Sequence, residues 1–166
     1  MTNLFETVKG DLLEATGIII HGCNNVGVMG SGVARGIKAR FPAAYEVYAQ
    51  AHQQKALHLG SVIMWRVSYN KWIANAITQT LGGPHPLDLN ALQISFESVL
   101  SFATETEIGE KRQIGSIPIC FPLIGAGRGG GDWNRISVIL NDCLYYHSVK
   151  RKATLYVVDA EPSDCT

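Results

Sequence analysis

Two stretches hold most of the residues able to do chemistry. The first is HGCNNVGVMGSGVA, residues 21–34, and the second is PLIGAGRGGGDW, residues 122–133. Each follows an apolar run and precedes a helical pattern, so its small residues sit where main-chain amides and a helix N-terminus can face an anion. In the first, Asn24 and Asn25 add side-chain donors and acceptors suited to a polar, hydroxyl-bearing ligand. In the second, Gly125, Gly127, Gly129, Gly130 and Gly131 fall within seven positions. That run loses much chain entropy on ordering, which convergence of amides on an anion would offset. Arg128 is either a charged fork for a diphosphate or a solvated side chain. Neither stretch is a P-loop, because no Lys-Ser or Lys-Thr follows the glycines, and the dinucleotide fingerprint spacing is absent. Two facing glycine loops instead suit a ligand with a central diphosphate.

Three further groups bear on reactivity. His21 closes a short apolar run, so its ring is expected at the strand end beneath the loop. There an imidazole either shuttles a proton or pins the two loops by hydrogen bonds. Asp132 either orients a water or caps the helix that follows it. Trp133 is read as core rather than as a stacking platform. His85 is read as a surface histidine near the rim, and Asp159 either faces the ligand or ends the last strand. No His, Cys or carboxylate spacing resembles a metal-ligand set, so neither metal nor cofactor is expected.

These residues must be held by an α/β layered domain with a mixed or largely parallel sheet, because β-branched apolar runs alternate with helical patterns. Strands are predicted over Leu4 to Lys9, Gly17 to His21, Ser61 to Val67, Lys71 to Ile77, Ser116 to Leu123 and Thr154 to Asp159. Helices are predicted over Gly32 to Gln54, interrupted at Pro42, over Asp88 to Thr106 and over Asn134 to His147. Asp88 and Asp132 are the expected caps. Turns are expected at Tyr69 to Asn70 and Gly82 to Pro86.

At 166 residues the chain fits one domain. Fourteen acidic and fourteen basic residues cancel, so no overall field draws it to nucleic acid or an anionic membrane, and an anion must be held by local groups. Cys23, Cys120, Cys143 and Cys165 are widely spaced, as reduced buried thiols are. With no signal-peptide pattern and no bilayer-length apolar stretch, a cytoplasmic protein that does not engage membranes is expected.

The residues also carry a resemblance. From first strand to last the chain resembles the macro domain family, which implies a three-layer α/β/α fold with a mixed central sheet. VKGDLLEA, residues 8–15, is similar to the family's Gly-Asp segment. By that resemblance Asp11 meets the adenine amino group, with Gly10 in the same binding segment and Leu12 beside the ring, while Asp159 either faces the adenine pocket or ends the last strand. The first loop resembles the family's ribose loop, implying distal-ribose contacts for Asn24 and its neighbour Asn25, and phosphate contacts for Gly30, Ser31, Gly32 and Val33. IPICFPLIGAGRGGGDW is similar to the family's diphosphate loop, implying that role for Ile124, Gly125, Ala126, Gly127, Arg128, Gly129 and Gly130.

NNVGVMGSGVA and GRGGGDW look like the antitoxin macro domains that remove ADP-ribose from DNA bases. Where those carry a catalytic lysine, AITQTLGG has Gln79 or Thr80. AITQTLGG with IHGCN looks like the ADP-ribose 1″-phosphate phosphatases, which implies His21 as a catalytic residue with Asn24 and Asp132 beside it. The resemblance therefore implies a phosphatase whose partner is ADP-ribose or ADP-ribose 1″-phosphate, and a monomer that needs no metal is expected. A hydrolase of ADP-ribosylated protein or DNA and a non-catalytic ADP-ribose binder are the alternatives, and nucleic acid is a partner only where ADP-ribosylated.

Overall fold

A computed structural model describes residues 2–81, 86–127 and 129–158. Arg128, His85, Asp159 and Cys165 lie outside the described residues, as does most of the turn expected over Gly82 to Pro86.

The elements run β1 Glu6–Lys9, a 3-10 turn Leu12–Glu14, β2 Gly17–Asn24, α1 Gly32–Arg40, α2 Pro42–Gln53, β3 Val62–Ser68, β4 Lys71–Gln79, α3 Leu89–Gly109, β5 Ile119–Phe121, α4 Trp133–Tyr146 and β6 Ala153–Val157. The strands form one six-stranded mixed sheet in the order β1-β6-β5-β2-β4-β3. Neighbours are parallel except β3, which pairs antiparallel with β4 at one edge. The mixed sheet of the expected α/β fold is therefore present. The C-terminal ends of β1, β6, β5, β2 and β4 consequently share one edge of the sheet, where ligands of such folds bind.

The alternation along β2 builds both layers. Ile18 and Ile20 join Leu92, Phe96, Leu140 and Phe121 under α3 and α4. Ile19 joins Leu12, Ile37 and Ile73 under α1, and Cys23 joins Met29, Tyr48 and Ile77 under α2. Pro42 starts α2 rather than bending one long helix, since its missing N–H is harmless in a first turn.

All six strands differ in extent from their predictions, by one or two residues at an end in β1, β3 and β6 and with a clear physical reason in the other three. β5 is only Ile119–Phe121 instead of Ser116 to Leu123, because Pro118 and Pro122 flank it and donate nothing to a ladder. β2 and β4 run past their apolar cores to Asn24 and Gln79, because both are central strands whose polar ends still pair. Among the described residues, no helix is long and apolar enough to cross a membrane.

Candidate functional site

Loop 1, residues 25–31, leaves β2, and loop 2, residues 122–132, leaves the neighbouring β5. They meet over the end of β4. The Gln79 carbonyl accepts the Asn25 amide of loop 1 at 3.1 Å. Across from it, a Cβ on Gly129 of loop 2 would lie 3.0 Å from Gln79 Oε1 and 2.6 Å from the Gly125 carbonyl. Only glycine allows that approach. The Gly129 carbonyl in turn accepts the Leu87 amide at 3.1 Å, and Leu87 bridges back to Gln79.

Loop 2 closes on itself through Gly131 N to Gly125 O at 2.9 Å and Gly130 N to Gly127 O at 3.1 Å. Those bonds leave the amides of Gly125, Gly127 and Gly129 without an acceptor among the described residues. Loop 1 is shaped from beneath. Asn24 Oδ1 accepts the Val26 amide at 3.0 Å and the Tyr48 hydroxyl at 2.8 Å, while Asn24 Nδ2 donates to Val28 O at 2.7 Å. Met29 is buried and anchors the far side of the loop.

The loop delivers the chain to α1, whose N-cap Ser31 makes no side-chain capping bond. By contrast, α3 and α4 are capped by Asp88 and Asp132, which accept the Ala91 amide at 2.8 Å and the Asn134 amide at 2.9 Å. Among the described residues the first-turn amides of α1, from Gly32 onward, therefore remain open, and open helix N-termini attract anions.

Toward β1 and β6 the cleft edge becomes apolar. Leu12 is buried with Val33 and Tyr156 packed about the same cluster, and the Tyr156 ring lies 3.8 Å from where a Gly10 Cβ would be. Asp11 caps the 3-10 turn by accepting the Leu13 amide at 2.9 Å, and its other oxygen accepts from Arg40 at 3.1 Å. Arg40 also pairs with Glu14.

Of the three residues expected to be catalytic, His21 needs correction in its placement, Asn24 is held by its own loop and Asp132 takes its capping alternative. β2 does not end at His21, whose side chain is instead 1% exposed and faces α2 inside the sheet. Asn75 Nδ2 donates to Ala44 O at 3.0 Å, so Asn75 Oδ1 accepts the His21 Nε2–H at 2.6 Å and fixes that tautomer. Cys23 Sγ lies 3.7 Å from the same nitrogen. Burial pulls the imidazole pKa down to about 4 against the opposing effect of Asn75, leaving a neutral ring at pH 7. The Asn24 side chain is committed to folding loop 1, as above, and Asp132 is an exposed helix cap. Trp133 packs edge-on against Phe5 at 6.4 Å, as a core residue.

Asn25 lines a small cavity of about 260 Å³ with His52, Lys55 and Leu57. A larger groove of about 570 Å³ lies elsewhere, between β3 and α3, and includes no residue of either loop. Cys23, Cys120 and Cys143 are free and buried, and burial raises the thiols of Cys120 to about 11 and Cys143 to about 12.

Gln79 and Tyr156 were not singled out for binding from sequence. Gln79 follows an apolar strand that looks finished at Ile77, and Tyr156 reads as an ordinary strand aromatic.

Two glycine loops that meet over the parallel strand ends of this sheet define the class, and the profile of the Macro domain family matches residues 20–140. The chain belongs to that family. It is 31% identical over 163 residues to an uncharacterized 17.5 kDa protein of Enterobacteria phage T4, covering 93% of this chain and 96% of the other. It is 26% identical over 141 residues to a DNA ADP-ribosyl glycohydrolase of Thermus aquaticus, covering 82% of this chain but only 37% of that protein. A third relative, an ADP-ribose 1″-phosphate phosphatase of Aspergillus oryzae, is 42% identical over 50 residues, covering 29% of this chain and 24% of the other.

Among solved structures, the macrodomain of Mycobacterium tuberculosis DarG has a TM-score of 0.77 at 25% identity, covering 92% and 96% of the two chains. Thermosipho africanus DarTG, solved in complex with ADP-ribose, shares the fold at a TM-score of 0.68 and 21% identity, covering 90% of this chain and 41% of that one.

Proposed function

We propose that the cleft binds ADP-ribose and derivatives carrying a group on its terminal ribose. The observation that carries this reading is the meeting of loops 1 and 2 over Gln79, with amides of loop 2 and of the first turn of α1 left open among the described residues. A diphosphate is held by the amides of Gly125, Gly127 and Gly129 and by the first turn of α1, where Gly30, Ser31, Gly32 and Val33 enter the helix. Ile124, Ala126 and Gly130 shape that loop. The adenine lies toward Gly10, Asp11 and Leu12, with Tyr156 beneath it. Relatives named for ADP-ribose chemistry, and a fold-mate solved with ADP-ribose, support the same ligand.

The reaction we propose is hydrolytic removal of the group carried at the 1″ position of the terminal ribose, by water attacking the anomeric carbon for an ADP-ribosylated base or phosphorus for a 1″-phosphate. His21 and Asn24 are committed to internal hydrogen bonds, and Asp132 is an exposed cap of α4. Activation of the attacking water therefore falls to the ligand's own phosphate, with the loops fixing its position. The stronger and longer similarity to the Thermus protein favours release of ADP-ribose from DNA over release of phosphate.

The test is a panel on the full chain, with calorimetric binding and product scored together. Free ADP-ribose released from an ADP-ribosylated oligonucleotide supports the first reaction, and inorganic phosphate from ADP-ribose 1″-phosphate supports the second. Tight binding with both ligands unchanged leaves a reading module. Absence of binding to any of them removes the assignment.

A further inference from the structure

α2 and α3 stop in the same way, and the difference between their ends isolates one side chain. After α2, the Lys55 amide donates to His52 O at 3.0 Å and the Ala56 amide to Ala51 O at 2.8 Å. After α3, the Lys111 amide donates to Ile108 O at 3.2 Å and the Arg112 amide to Glu107 O at 2.8 Å. Both lysines are left-handed, at φ 56° and 54°, in the place of this C-terminal motif that glycine fills without strain. A cation at a helix C-terminus is favourable, and that is enough to account for Lys111. Lys55 differs in its surroundings, because it lines the cavity of about 260 Å³ with Asn25, His52 and Leu57.

None of the four lining residues is acidic, and the Asn25, His52 and Lys55 side chains make no hydrogen bond or ion pair among the described residues. An ammonium, an imidazole and a carboxamide beside the buried Leu57 form a donor set for an oxyanion. The volume of about 260 Å³ falls below the roughly 300–1,000 Å³ of pockets that enclose a whole small ligand, so it suits one group of a larger one.

This cavity stands at the same edge of the sheet as the glycine loops. Just past Leu57, the Gly60 amide donates to Ile77 O at 2.8 Å and the Ile77 amide to Ser61 O at 2.9 Å, near the end of β4. Asn25 is also the first residue of loop 1, and Gly27 lies so close to His52 that a Cβ there would be 2.7 Å from its Nδ1. Loop 2 leaves β5 on one side of β2, whereas the chain from α2 enters β3 on the other. With the adenine toward β1 and the diphosphate between the loops, an acceptor joined to the terminal ribose extends toward β4 and β3. On an ADP-ribosylated DNA strand, the anions nearest the modified base outside the ADP-ribose are its flanking backbone phosphates.

We propose that Lys55, with His52 and Asn25, holds a backbone phosphate of the DNA strand that carries the ADP-ribosylated base. The proposal rests on the ADP-ribose reading, and names a contact to the acceptor strand rather than to the nucleotide. Its test on the full chain compares four ligands: ADP-ribose, an ADP-ribosylated nucleoside without flanking phosphates, an ADP-ribosylated oligonucleotide and an ADP-ribosylated peptide. Affinity is read as Kd by calorimetry, or as KM where the ligand is turned over. Lys55→Gly removes the ammonium and keeps the φ that the motif needs, so its Tm should not fall. The variant is expected to bind the oligonucleotide about five- to tenfold more weakly at about 0.1 M salt, with a log Kd against log salt slope shallower by about 0.7–0.9. ADP-ribose and the nucleoside should bind as they do to the wild type. Lys111→Gly, the same change at the matching position after α3, should alter none of the four.

Unchanged oligonucleotide affinity in Lys55→Gly overturns the proposal. A loss of the same factor for ADP-ribose overturns it as well, because Lys55 would then act on the nucleotide cleft. So does a wild type that binds the oligonucleotide no more tightly than the nucleoside, since no flanking phosphate is then held. A dependence on Lys55 seen with the peptide instead of the oligonucleotide overturns the choice of DNA. In each of these cases the ADP-ribose reading stands, whereas a wild type that binds none of the four defeats that reading and the proposal with it.

Discussion

The two ends of the parallel sheet are built on opposite rules. Where α3 finishes and β5 and β6 begin, Glu107 and Arg151 have fully buried side chains. Glu107 Oε1 accepts the Gly115 amide at 2.9 Å and Arg151 Nη2 at 3.1 Å, and Oε2 accepts the Ile117 amide at 2.7 Å and Arg151 Nη1 at 2.9 Å. Arg151 also reaches the Ile117 carbonyl and the Thr104 hydroxyl, leaving only its Nε without a partner among the described residues. Burial alone would raise the Glu107 carboxyl, but Arg151 and the two amides overcome it and hold the pKa below the ordinary value. At the opposite end, amides, the Thr78 hydroxyl and the Gln79 carboxamide are left open among the described residues and one helix is uncapped. Polar groups satisfied internally fix the frame, and polar groups left open mark where a ligand supplies the bonds.

The largest way to test that contrast is at the closed end. Arg151→Leu strands Glu107 as an unpaired buried charge and is expected to lower unfolding free energy by about 3–5 kcal/mol, read by urea denaturation. ADP-ribose affinity of the folded fraction should be unchanged. A loss of affinity matching the loss of stability would mean that the two ends are coupled. Because the folded pKa of Glu107 lies below 4.5, its contribution is full above that pH and is lost as pH falls below it.

His21 gives an effect of intermediate size and decides which rule governs it. Its folded pKa of about 4 against an ordinary 6.5 means that the unfolded chain binds the proton first. Stability should therefore fall as pH drops from 6.5 towards 4, by up to about 3 kcal/mol. His21→Gln, which retains a donor for Asn75 but does not titrate, should flatten that slope between pH 7 and pH 5. Identical slopes in wild type and variant would mean a solvent-reachable imidazole and return His21 to the catalytic candidates.

The smallest change in stability accompanies a sharp change in function. Ser31→Asp supplies the missing cap of α1 and is expected to raise stability by about 0.5–1 kcal/mol. It also puts a carboxylate on the amides assigned to the diphosphate, so ADP-ribose affinity should fall at least about tenfold. Tighter or unchanged binding in that variant would show that the α1 terminus is not part of the anion site.

The two glycine clusters were legible in the sequence because each lies between an apolar strand and a helix, and that local pattern located both loops on neighbouring strands. Pro42 and Asp88 were legible for the same reason, since breaking and capping are decided within a few residues. His21 was misplaced because the polar letters of HGCN look like the end of a strand, whereas Cys23 continues the inward alternation of Ile19 and His21. Asn24 offered the right chemistry for a ribose, but its local main chain claims it. The setting of Gln79, marked in the sequence only as standing with Thr80 at the relatives' lysine position, and the Glu107–Arg151 pair were not legible for a different reason. The first depends on a register slip against another strand, and the second joins residues 44 positions apart.

The pairing of β1 with β6 has a consequence for the order of assembly. Glu6 and Thr154, partners across that ladder, are 148 positions apart, so closing the loop between them is among the slowest kinds of contact a chain can form. β1 has no neighbour in the sheet until β6 has been synthesised. During translation the glycine loops can meet over β4 while the β1–β6 edge is still incomplete, which makes that edge a property of the finished fold rather than of the nascent chain.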